Sequence, residues 1–140
     1  MRRERSPVSA LSLLAGAREF ARALSVLARH DVPIRATALV AAQSVELTLK
    51  SYLLSRGFSQ AAVEHLRHSL KNAWVKAAAA GLAVEPLPPP WCQLLDSMHD
   101  DPYMVRYPPE NSGLVAPNPQ QMEAEVGRLI DLVTAAGHAA

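Results

Sequence analysis

Ala41-Ala42-Gln43-Ser44-Val45-Glu46-Leu47-Thr48-Leu49-Lys50 is the stretch on which the reading of this chain turns. Its residues suit the middle of a long helix. Leu39, Ala42, Leu49 and Leu53 recur at the three-and-four spacing of a buried stripe. Glu46 falls on that stripe, and Lys50 follows one turn later. A lone carboxylate is costly to bury and needs a partner. This helix therefore carries a structural polar network or lines a site.

Working outward, the helix has Pro33 near its first turn and runs to about Arg56. Gly57 then takes the left-handed C′ position, with Phe58 as the apolar residue that folds back. Ala38 to Ala42 are consecutively apolar, so the helix is expected at the centre or against a second subunit. Upstream, Ser6-Pro7 reads as a cap and a proline at N1. The helix it opens has an expected face of Leu13, Ala17, Phe20, Leu24 and Leu27, and ends near Arg29-His30-Asp31. Downstream comes a short helical segment, Gln60 to Leu66. Ser69 then caps a helix that ends at Gly81-Leu82, with Lys71 and Lys76 wet and Trp74, Val75 and Ala78 dry.

Nine of the 11 prolines lie from Pro86 onward. Residues 86–90 form a stiff connector, a short helix covers Trp91 to about His99, and residues 100–117 read as a long loop. Asn118-Pro119-Gln120-Gln121 opens the last helix, whose buried face is Met122, Val126, Leu129, Ile130 and Val133. The expectation is one domain over residues 1–140 with a core at about 7–137, all-α, an up-and-down bundle of four to five helices.

Composition supports helix over sheet. The chain has 140 residues, 49% of them hydrophobic and only 5% aromatic, enough to bury a core without disulfides or metals. A net charge of +1 requires neither nucleic acid nor an anionic membrane as partner. Cys92 is the single cysteine, which excludes an intramolecular disulfide and fits a reducing, cytoplasmic setting. Arg2-Arg3 ahead of an apolar run and Ala15-Gly16-Ala17 has the outline of a signal peptide. The run is short, Glu4 interrupts the basic part, and the helical stripe continues past Ala17, so a helix is expected instead. No apolar run approaches the ~20 residues of a membrane span, and no membrane partner is expected.

The common catalytic motifs are missing: no phosphate loop, dinucleotide glycine fingerprint, HExxH or GxSxG. Asp100-Asp101 reads as a capping or turn pair. His65 and His68 have a spacing that suits a metal, but no acidic third ligand is evident, so neither metal nor cofactor is expected. A dispersed set stands out: Glu46, Lys50, His68, Tyr103, Arg106 and Tyr107. In one reading it is a buried network in which Lys50 neutralises Glu46 and His68 fills a remaining acceptor. In the other it is a groove for a nucleotide. Lys50, His68 and Arg106 would meet phosphate, and a tyrosine would stack on the base.

At these residues the chain resembles the HEPN family, named for nucleotide binding in higher eukaryotes and prokaryotes. Ala42 to Lys50 with Tyr52-Leu53-Leu54 and Gly57 is similar to the family's second long helix. His68-Ser69-Leu70 resembles its His-polar-Leu segment, and Arg106-Tyr107-Pro108 its Arg-Tyr-Pro before the last helix. The resemblance, over about Ala17 to Val133, implies a helical bundle that is often a homodimer. It implies nucleotide or RNA binding, or pairing with a small nucleotidyltransferase in two-part toxin–antitoxin or defence modules. Some relatives are ribonucleases with an Arg and a His separated by four to six residues on one helix. None of the five histidines here has an Arg five to seven positions earlier. A non-catalytic module is therefore expected. The alternatives are a purely structural bundle, or a ribonuclease built differently from His68, Arg106 and Tyr107.

Overall fold

The computed structural model describes residues 8–30, 32–100 and 116–138. Among these residues the chain is all-helical: α1 (Ala10–Ala28), α2 (Ile34–Ser55), α3 (Gln60–His65), α4 (Leu70–Ala79), α5 (Pro90–His99) and α6 (Pro119–His138). They form one bundle around α2, which packs against each of the other five. No described helix is long and apolar enough to cross a membrane. Tyr103, Arg106 and Tyr107, with most of the expected long loop, lie outside the described residues, as does Ser6-Pro7.

The sequence signals for helix ends act as expected. Gly57 and Gly81 have φ of 92° and 111°. After α2, Phe58 N–H donates to the Leu53 carbonyl and Gly57 N–H to that of Leu54. After α4, Leu82 and Gly81 repeat the pattern on Ala77 and Ala78. Both ends are Schellman closures. Ser59 caps α3, Ser69 caps α4, and Asn118 Oδ1 accepts the Gln120 amide at the head of α6. At α1 the cap is Ser9, which exchanges hydrogen bonds with Ser12 in a capping box.

Two faces differ from the expected ones. On α1 the buried residues are Leu14, Ala17, Leu24 and Ala28, whereas Leu13, Phe20 and Leu27 are only half-buried. The seam is rotated toward the smaller side chains because α2 comes close. Ser44 Oγ donates to the Ala17 carbonyl at 2.8 Å and Ser51 Oγ to that of Ala10 at 2.7 Å. These two bonds also show that α1 and α2 run antiparallel. On α4 the dry side is Leu70, Ala73, Trp74 and Ala77, and Val75 is exposed. On α6 the expected five residues, from Met122 to Val133, are all buried.

A second ladder sets the position of α6. Gln120 Nε2 donates to the Ala28 carbonyl and Arg18 to Thr134 Oγ1, so α6 runs antiparallel to α1. The chain leaves α2, doubles back through α3, and enters α4 beside Glu46. Contacts of Glu46 with His68 and of Tyr52 with the Ala80 carbonyl then place α4 across α2 in the same sense. α4 therefore runs parallel to α2, with His68 beside the middle of α2.

Candidate functional site: a buried carboxylate with three donors

Glu46 is 6% exposed and Lys50 9%. The carboxylate divides its acceptors. Oε2 takes the Lys50 ammonium at 3.1 Å, while Oε1 takes His68 Nδ1 and His99 Nε2, each at 2.9 Å. Three elements meet here: the middle of α2, the residue ahead of the α4 cap, and the last residue of α5.

Local structure explains how His68 and His99 arrive. Arg67 has φ of 51°, a left-handed conformation that non-glycine residues adopt at a cost of about 1–2 kcal/mol. That turn aims its carbonyl at Lys50, which donates to it, and delivers His68 to Glu46. Asp96 fixes α5 to the same place. Its Oδ1 accepts the Leu70 amide at 2.7 Å and the Lys71 amide at 3.2 Å, at the positive end of α4. His99 stands one turn after Asp96, and its ring meets that of His68 edge-on, with centroids 5.5 Å apart.

Burial by itself pushes the Glu46 carboxyl up. The His99 hydrogen bond, the Lys50 charge and the His68 hydrogen bond outweigh it, and the group is held down from 4.5 to about 2. Ionised Glu46 only accepts, so the ring nitrogens facing it carry the protons: Nδ1 on His68 and Nε2 on His99. His99 is wholly enclosed, and its Nδ1 has no hydrogen-bond partner among the described residues. The His68 side chain is 34% exposed and is the most open of the four side chains.

Glu46, Lys50 and His68 are thus brought together as the sequence led us to expect, in the geometry of the buried network. His65, whose spacing to His68 suits a metal, is exposed on α3 and is not part of this grouping. The second histidine is His99, which sequence reasoning missed. A signal for it existed: Trp91, Leu95 and His99 recur every four residues, placing a polar group on an apolar stripe, just as at Glu46. Glu46, His68 and His99 have donor atoms within 4.8 Å of one another, a set able to hold a metal ion.

Cys92 offers no nucleophile. Burial, then the nearby Asp96 charge, pushes its thiol up to about 12. Asp100 is the C-cap of α5, in line with its reading as a capping residue. Surface cavities lie elsewhere, two of them beside large apolar side chains. One of about 530 Å³ is bordered by Trp74, Trp91 and Arg128, the other of about 450 Å³ by Leu11, Leu14 and Val133. Neither is lined by Glu46, Lys50, His68 or His99. Comparison with family models, with curated proteins and with solved structures finds no match to this chain.

Proposed function

We propose that this chain is a non-catalytic, HEPN-like helical module that engages a protein partner, and that its Glu46 cluster organises the module instead of meeting that partner. One observation carries this reading: the Lys50 ammonium is enclosed and bonded to Glu46 and to the Arg67 carbonyl. A phosphate could recruit Lys50 only by drawing it away from both the Glu46 carboxylate and the Arg67 carbonyl, each of which would lose a hydrogen bond. The missing Arg–His pair supports a binding role over cleavage. The partner class suggested by the resemblance is a second copy of the chain, or a nucleotidyltransferase-type protein in a toxin–antitoxin or defence setting. Sedimentation velocity and thermal unfolding of wild type and Lys50→Met test it. The expected result is self-association that survives Lys50→Met, with Tm unmoved by millimolar nucleotides in both proteins. A nucleotide-dependent rise in Tm that Lys50→Met abolishes would overturn it.

A second reading, RNA binding, is favoured by a separate observation. His65, Arg67 and Lys71 are exposed beside part-exposed His68, so one edge at the α3–α4 junction is basic. Such an edge meets phosphates without disturbing Lys50. Titration with single-stranded RNA at two salt concentrations reads it out. Arg67→Ala and Lys71→Ala should each weaken binding and flatten the salt dependence, and binding unaffected by either excludes this edge.

A further inference from the structure

We infer that Glu46, His68 and His99 form a binding site for one divalent transition-metal cation of the zinc class. The donors are two imidazoles and a carboxylate, a set that zinc and its neighbours take readily and that magnesium and calcium do not. They come from α2, the α4 head and the α5 end, and converge on a single point at Glu46 Oε1. Each ring nitrogen stands 2.9 Å from that oxygen. Two ligands at roughly 2.0–2.1 Å from a common ion at a tetrahedral angle are separated by about 3.3–3.4 Å, a few tenths of an ångström more. All three donor atoms lie within 4.8 Å of one another, so a small inward turn of the imidazoles closes the set.

His99 is fully enclosed, so the fold itself holds its ring against Glu46. His68, a third exposed, lies on the route by which an ion enters. On binding, the nitrogen facing Glu46 on each ring becomes a metal ligand and the proton of the neutral ring resides on the far nitrogen. Lys50 keeps its hold on Oε2, so Glu46 stays oriented from behind.

Isothermal titration of the full chain with zinc chloride tests this, with cobalt(II) absorption as a second readout. His68→Gln is the principal variant because it sits at the open edge, and His99→Gln is the second. His30→Ala and His65→Ala control for exposed histidines. The expected result is one zinc per chain, a rise in Tm with zinc but not magnesium, and a cobalt spectrum of nitrogen and oxygen ligands. His68→Gln should lower affinity at least about tenfold while the metal-free protein stays folded, and the two controls should leave it unchanged. Failure of the wild type to bind zinc overturns the inference, as does affinity that is unchanged in His68→Gln or lost in either control.

Discussion

Replacing Glu46 by alanine removes the acceptor from three donors at once. Lys50 is left as an enclosed cation facing the Arg67 carbonyl, and His99 loses its bond to the carboxylate. Glu46→Ala should cost about 3–5 kcal/mol, measured by urea unfolding of the metal-free protein. Lys50→Met leaves the carboxylate with two imidazole donors and should cost clearly less. The same carboxylate sets the response to acid. Its folded value of about 2 lies below the ordinary 4.5, so folding favours the ionised form. The resulting stabilisation, about 3 kcal/mol, is complete above the unfolded value and fades as pH falls from 4.5 toward 2. Wild type and Glu46→Gln should therefore differ widely in Tm at neutral pH, converge below pH 4.5, and meet near pH 2. Three members of this cluster were legible because Glu46 and Lys50 interrupt an apolar stripe and His68 opens a capped helix. His99 was harder to see because its partner lies 53 residues away, and no local pattern names a contact at that range.

The helices were legible mainly through their ends. Gly57-Phe58 and Gly81-Leu82 stopped α2 and α4 where expected, because only glycine enters the left-handed region freely. Gly57→Ala should cost about 1–2 kcal/mol in thermal unfolding. Gly81→Ala should cost more, since its new Cβ would also lie 3.3 Å from Tyr52 Oη, which donates to the Ala80 carbonyl. The rotation of α1 was not legible. The expected set (13, 17, 20, 24, 27) and the buried positions (14, 17, 24, 28) follow the same spacing and share Ala17 and Leu24. Hydrophobicity favours the set containing Leu13 and Phe20. Close approach of α2 favours the other, and close approach is a property of the pair of helices.

Across the whole molecule, α2 behaves as an axle. It touches every other helix, and its residues from Ala38 to Leu53 are buried or half-buried all round. Its amides should exchange with solvent only through global unfolding, whereas α3, exposed at four of its residues (61, 62, 64 and 65), should exchange by local opening. Hydrogen-exchange rates across Ala38–Leu53 and Gln60–His65 check this ordering. The run of apolar residues in α2 made its central position readable, but the direction of α4 was not, because it depends on how α3 doubles back. The Glu46 cluster also has a history in time. Its contacts reach 4, 22 and 53 residues along the chain, to Lys50, His68 and His99. Closing longer loops costs more entropy, so these bonds should form in that order. Lys50 meets the carboxylate as soon as α2 winds, and His99 arrives after the folding barrier has been crossed. Stopped-flow chevrons of His99→Asn should then show faster unfolding with the refolding limb nearly unmoved. The last imidazole to reach Glu46 would act as a latch on the lifetime of the native state.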